Sequence, residues 1–181
     1  MSPDFAVTFW INGFAGHTLA VDRIGIIAAT ALLFMIGVAV IFVIAQRTLS
    51  TRALFVTEVL GTLIIAYSIS QFIGVVAFRE RPFVRHPVRQ LIAKDGGEKS
   101  FPSDHATLAF ALVFPAVAVV RRRWAKVLFI ASAVVVGVAR VFVGVHYVSD
   151  VIAGGLLAFI VWWFVHRGVR RWWQTKSTTR A

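Results

Sequence analysis

Residues 24–45 read IGIIAATALLFMIGVAVIFVIA, twenty-two residues without a charge. As a helix this stretch is about 33 Å long, enough to cross the roughly 30 Å hydrocarbon core of a bilayer. A helix apolar on every side belongs in lipid or in the core of a large protein, and 181 residues cannot build such a core. The stretch therefore reads as a membrane span, and the rest of the chain follows from it.

Four more apolar segments lie downstream, at about Ala53 to Phe78, Ala106 to Val120, Trp124 to Ala139 and about Tyr147 to Val165. The segments at 106–120 and 124–139 are short, at 15 and 16 residues. Snorkelling arginines at one end and polar residues at the other make up their length. The composition agrees: 59% of residues are hydrophobic, only 15% are charged, and mean hydropathy is +0.80. The expected fold is an all-α, polytopic membrane helix bundle, one domain over residues 1–181 with about five transmembrane helices. Residues 1–23, with Phe5, Phe9 and Trp10, read as an interfacial segment. They lack a basic region ahead of the apolar residues, so no cleaved signal peptide is expected. The absence of cysteine excludes disulfides, thiolate chemistry and cysteine-ligated metals.

The net charge of +11 is unevenly placed. The connections QRTLSTR (46–52) and RRRWAK (121–126), and the tail HRGVRRWWQTKSTTR (166–180), are basic and carry no acid. The alternate connections are near neutral or of mixed sign. An excess of Lys and Arg marks cytoplasmic loops, so the N-terminus is expected outside and the C-terminus inside. Trp124, Trp162, Trp163, Trp172 and Trp173 fall toward the inner face as belt residues. Residues 168–181 read as a basic cytoplasmic tail, disordered after Arg171. The charge excess is thus explained by topology, and no nucleic-acid partner is implied.

That topology gathers three polar stretches on one face. The first is ARVFVGVHYVSD (139–150). His146 and Asp150 are four apart at the start of the last helix and share a face. A carboxylate that fixes one imidazole nitrogen frees the other as nucleophile or base, although an interfacial ion pair accounts equally well for the pair taken alone. Arg140 leaves the preceding helix toward the same point. The second stretch, SFPSDHATLAF (100–110), places Ser103 as an N-cap of a helix whose free N–H groups form an anion site. Plain capping explains Ser103 and Asp104 but not His105, a second imidazole at the same depth. The third, FRERPFVRHP (78–87), opens the loop 79–105 and carries Arg79 and Arg81, guanidinium groups suited to phosphate oxygens. Arg85, Arg89 and Lys94 fit the duller role of touching lipid headgroups. Together the three stretches suit the binding and attack of a phosphate. Carboxylate clusters and His-x-x-x-His pairs are lacking, so no metal site and no cofactor are expected.

Arg81-Pro82, PSDH at 102–105 and the Arg140-x5-His146-x3-Asp150 spacing resemble the three signature motifs of the type 2 phosphatidic acid phosphatase superfamily. Asp104 in the second motif resembles its bacterial undecaprenyl-diphosphate phosphatase branch. The resemblance implies roles. His146 attacks phosphorus and becomes a phosphohistidine, Asp150 orients it, and His105 protonates the leaving oxygen. Arg81, Arg140 and Ser103 bind phosphoryl oxygens, and no metal takes part. Three positions depart from the family pattern. Gly74 stands where the family has a lysine, so Arg79 is expected to take over part of that work. Ala139 replaces a serine. Asp104 replaces a glycine and is expected to point away or to be hydrogen-bonded near the leaving group.

A site at headgroup depth suits a lipid phosphate arriving sideways from the outer leaflet, and the basic, partly apolar stretch 83–100 suits an anionic headgroup. The expected substrate is a polyprenyl diphosphate cleaved on the extracytoplasmic face of the cell membrane, in support of carrier-lipid recycling. Phosphatidic acid or phosphatidylglycerophosphate is the runner-up. A transporter is the reading from another class, and it would need ionisable residues near the bilayer middle. Glu58 is the clearest exception to the apolar spans, expected in the first turn of the second. Gly154-Gly155 is expected to allow close helix packing. Nothing in the sequence sets the oligomeric state.

Overall fold

The shortest of the apolar helices stands at the centre of the molecule. The computed structural model describes residues 2–178, and among these it contains α1 (Pro3–Asn12), α2 (Leu19–Ala45), α3 (Leu49–Val76), α4 (Pro82–Arg85), α5 (Asp104–Val119), α6 (Arg123–Phe142) and α7 (Val148–Thr178). Helix α5 packs against α2, α3, α6 and α7. Its side chains explain how: Ala106, Ala109, Ala111 and Ala116 are fully buried, and small residues let four backbones approach one axis. On the facing side of α7, a Cβ at Gly154 would come within 2.8 Å of Thr107 Oγ1 and 2.9 Å of the Ser103 carbonyl oxygen. The glycine pair does serve close helix packing.

Helices α2, α3, α6 and α7 are long and apolar enough to cross a membrane. Helix α5, with 16 residues, rises only about 24 Å. All five match the apolar segments read from sequence. Large hydrophobic side chains point outward, among them Phe34 and Phe42 on α2 and Phe72 and Val75 on α3. Only in lipid is such a surface at no disadvantage. The five helices alternate in direction, so the 46–48 and 120–122 connections share one end of the bundle, where Arg47 donates to the Val119 carbonyl oxygen at 2.8 Å. The ends of α3 and α6 and the starts of α5 and α7 form the other end.

Residues 3–12 of the N-terminal segment form a helix that packs against α6 and α7. Two expectations are corrected. Helix α3 starts at Leu49, which places Glu58 in its third turn. There Glu58 is buried and accepts from Trp162 Nε1 and His166 Nδ1 on α7, both at 2.8 Å. The tail expected to be disordered after Arg171 continues α7 through Thr178, since no proline interrupts the helical hydrogen bonding there; residues 179–181 of that tail lie outside the described residues.

Candidate phosphate-binding active site

His146 does not begin the last helix. It lies in the turn after α6, two residues ahead of α7, and Gly144 in that turn has a φ of +80° that favours glycine. A Cβ at Gly144 would also meet the Arg89 carbonyl oxygen at 2.3 Å. The turn places the imidazole almost wholly out of solvent, at 3% exposure. Its Nδ1 lies 2.9 Å from the carbonyl oxygen of Ser100 and 3.6 Å from Asp150 Oδ2. A carbonyl can only accept, so Nδ1 carries the proton and Nε2 keeps its lone pair. Asp150 faces this same nitrogen, and the backbone of Ser100 gives it a closer contact.

Asp150 acts one step further back. Its Oδ2 accepts from Ser100 Oγ at 2.5 Å and from Tyr147 N at 2.8 Å. Its Oδ1 accepts from Arg79 Nη1 at 2.8 Å. The carboxylate therefore ties the Ser100 strap, the His146 turn and the start of α7 together. Burial pushes the His146 pKa down to about 4, and the Arg140 and Arg81 charges act in the same direction against Asp150. At neutral pH the ring is uncharged, with Nε2 free to accept.

Arg81 approaches this ring directly, Arg140 acts on it electrostatically, and Ser103 stands at the start of the neighbouring helix. Arg81 is 5% exposed; its Nη1 donates to the Val145 carbonyl oxygen at 3.0 Å and lies 3.5 Å from His146 Nε2. Arg140 is 1% exposed, and its one hydrogen bond among the described residues is a long one, 3.4 Å to the Ala29 carbonyl oxygen. Ser103 stands at the N-cap of α5, yet its hydroxyl makes no capping bond. The Nε atoms of both arginines and the Ser103 Oγ are buried without a partner. A buried guanidinium lacking a carboxylate is costly unless an anion completes it. His105 follows in the first turn of α5, partly buried and within electrostatic reach of Arg140 and His146.

Two residues of the expected phosphate shell are engaged elsewhere. Arg79 is held by carboxylates on both sides: Nη2 reaches Asp4 Oδ2 at 2.7 Å, and Nη1 reaches Asp150 as well as Ser149 Oγ at 2.6 Å. Its guanidinium lies 3.7 Å from the centre of the Tyr147 ring. Through these donors Arg79 clamps Asp150 and Ser149 to α1. Asp104 is hydrogen-bonded, as one of the two expectations had it, but to Lys99 Nζ at 2.7 Å, Ser70 Oγ at 2.8 Å and Gln71 Nε2 at 3.1 Å.

Sequence reading missed five residues. Asp4 and Thr8 on α1 accept from Ser149 N at 2.9 Å and Val148 N at 3.1 Å, capping α7 from another helix. Burial pushes the Asp4 pKa up, but the bonds from Ser149 and Arg79 outweigh it and hold the group below the usual carboxylate range. Asn12 donates to the carbonyl oxygens of Arg89 and Phe142 and accepts from Arg89 N, and the Arg89 guanidinium donates to the Ala15 carbonyl oxygen, so Arg89 anchors the loop to the N-terminal segment. Ser100 is the strap described above. Lys99 lays its stem on Gly74, where a Cβ would come within 1.9 Å of Lys99 Cδ. These contacts join residues up to 145 positions apart, and no local pattern signals them.

Comparison with known proteins agrees with this geometry. A family model described as the PAP2 superfamily matches residues 55–174. Undecaprenyl-diphosphatase BcrC of Bacillus subtilis is 37% identical over 97 residues, 51% of this chain and 47% of that protein. A lipid A 1-phosphatase of Rhizobium johnstonii is 50% identical over 70 residues, 35% of this chain and 25% of that protein. The chain thus spans about half or less of the length of these curated relatives. The crystal structure of Aquifex aeolicus LpxE superposes with a TM-score of 0.75 at 18% identity, covering 92% of this chain and 96% of the other, and shares the fold.

Proposed function

The chain belongs to the PAP2 superfamily, and from that premise we propose that it is a metal-independent lipid phosphatase that cleaves a polyprenyl diphosphate to the monophosphate. One observation carries this reading: Arg81 Nε, Arg140 Nε and Ser103 Oγ are buried without partners at the end of the bundle that holds a buried, neutral imidazole. That is the donor set a trigonal phosphoryl group requires as charge spreads over its equatorial oxygens.

In this reading Nε2 of His146 attacks the terminal phosphorus. A P–N bond forms while the bridging P–O bond breaks; His105, whose pKa burial and the Arg140 charge push down to about 4, takes up a proton as the anionic substrate arrives and gives it to the departing oxygen. Water, giving its proton to His105, then attacks the phosphohistidine; the P–N bond breaks, inorganic phosphate leaves, and both imidazoles are restored. Arg81, Arg140, Ser103 and the first N–H groups of α5 hold the phosphoryl oxygens, supplying the charge a metal would otherwise bring. Asp150 and Ser100 orient His146.

The polyprenyl diphosphate is supported by the name of the Bacillus subtilis relative and by a site that opens at one end of the bundle. Arg47, Arg52 and Arg121–Arg123 lie at the opposite end, which favours an extracytoplasmic active site and five crossings with the C-terminus inside. The Rhizobium relative favours a second reading, in which the phosphate sits on a lipid A disaccharide.

The test is phosphate release by the purified chain in detergent with a chelator present, on a long-chain prenyl diphosphate, phosphatidic acid and lipid A, beside His146→Ala. Fastest cleavage of the prenyl diphosphate and a dead variant support the proposal. Preference for either other lipid moves the substrate, and equal release by both proteins removes His146 from the chemistry.

A further inference from the structure

Arg81 has two faces. Its Nη1 turns to His146, whereas Nη2 reaches Glu98 Oε2 at 3.1 Å. The same Glu98 oxygen accepts from Lys94 Nζ at 3.2 Å. One anionic oxygen thus bridges a buried arginine of the site and a lysine of the loop. Glu98 is about half exposed, at 49%, so its carboxylate has water as an alternative partner. It follows the Asp95–Glu98 turn, whose Gly96 and Gly97 let the backbone move with little steric cost.

We propose that the Glu98 carboxylate occupies a second anion subsite, between Arg81 and Lys94, that takes the phosphate of a diphosphate ester not attacked by His146. This rests on the phosphatase reading above and assigns residues that select diphosphates within it. The physical argument is one of charge. A phosphoryl group entering beside His146 brings two negative charges next to Arg81, and a carboxylate on the same guanidinium is then repelled. Glu98 leaves, and Lys94 loses its partner. A diphosphate offers an oxygen at that position from its second phosphate, whereas a monophosphate ester offers none. Lys94 also lies within electrostatic reach of His105. It therefore stands on the side where negative charge builds as the bridging bond breaks, and it stabilises the departing lipid monophosphate. Glu98 keeps the two cations paired between turnovers, when they would otherwise repel each other.

The experiment compares wild type, Lys94→Met and Glu98→Gln as full chains in detergent. Substrates are a prenyl diphosphate and the prenyl monophosphate with the same tail. Binding of inorganic pyrophosphate and orthophosphate is followed by thermal shift. The expected result for Lys94→Met is a drop of about tenfold in the diphosphate-to-monophosphate ratio of kcat/KM, as for loss of one charge-assisted contact. Pyrophosphate should lose its advantage over orthophosphate in the same variant. Glu98→Gln should bind both anions more tightly, because the resident competitor is gone. An unchanged ratio in Lys94→Met, or weaker anion binding by Glu98→Gln, overturns the subsite. If wild type cleaves neither lipid, the phosphatase reading falls instead. The subsite is then judged on binding alone, where indifference of pyrophosphate to Lys94→Met sinks it.

Discussion

The carbonyl oxygen of Ser100 lies 2.9 Å from Nδ1 of His146, closer than any oxygen of Asp150, whose nearest is 3.6 Å away. The proton on the ring is therefore placed by a backbone group, which neither mutation of a side chain nor a change of pH removes. Asp150 works through Ser100, whose hydroxyl it accepts. Its replacement should loosen the strap as well as the ring.

The pH dependence follows from the same burial. With the His146 pKa pushed down to about 4, from an ordinary 6.5, Nε2 stays unprotonated through the neutral range and loses its lone pair only below that value. The acidic limb of kcat/KM should lie nearer pH 4 than pH 6.5. Stability has the same sign. Between these values the unfolded chain binds the proton and the folded one does not, so the thermal midpoint falls as pH drops through the window. His146→Gln should flatten that fall, and a limb centred at 6.5 would count against a buried neutral ring.

Arg140 should separate activity from stability. Among the described residues it is the largest fully buried side chain, and no carboxylate pairs with it there. Arg140→Met should cost about two to three orders of magnitude in kcat/KM, as loss of one donor to developing charge does. The variant should melt no lower than wild type without ligand, because it no longer buries an uncompensated charge. Added orthovanadate should raise the midpoint of wild type but not of the variant. A variant that unfolds outright would show instead that Arg140 is structural.

Asp4 and Arg79 should behave as one unit. Asp4→Asn and Arg79→Gln each break the clamp on Ser149 and Asp150, and the double variant should cost little more than either alone, with a coupling of about 1 kcal/mol or more. Phosphate inhibition constants should stay close to wild type in both single variants. A selective loss of phosphate affinity in Arg79→Gln would return Arg79 to the phosphate shell.

Gly74 and Lys99 should show a reciprocal effect. A methyl group at residue 74 must displace the Lys99 stem, and with it the ammonium that engages Asp104. Gly74→Ala should lower activity severalfold, and the loss should vanish in a Lys99→Ala background, where the colliding atoms are gone. Equal loss in both backgrounds would assign the effect to helix α3 itself.

Much of this was legible along the chain. Apolar runs mark the five long helices, although the last continues to Thr178, well past its apolar run, because a membrane helix satisfies its backbone locally and needs only length and composition. The motif residues Arg81, Ser103, His105, Arg140, His146 and Asp150 stand at one end of the bundle because alternating helices put every second connection on the same side. Spacing, however, placed His146 at the start of the last helix, where the chain is still in the turn after α6 that Gly144, at positive φ, helps to form.

What the sequence by itself determined is the fold class, the end of the bundle that carries the polar motifs, and which residues gather there. The tertiary structure alone decided what each of them holds. Arg79 and Arg81 are two positions apart and chemically equal, yet one is consumed by Asp4 and Asp150 while the other keeps a free donor beside His146. Asp4, Thr8, Asn12 and Ser100 entered the site from segments far away in the chain. The reason is physical. A helix forms from contacts three or four residues apart, which any stretch of chain reveals. The partner of a buried charge is whichever opposite group packing brings within hydrogen-bond reach, and packing is a property of the whole bundle.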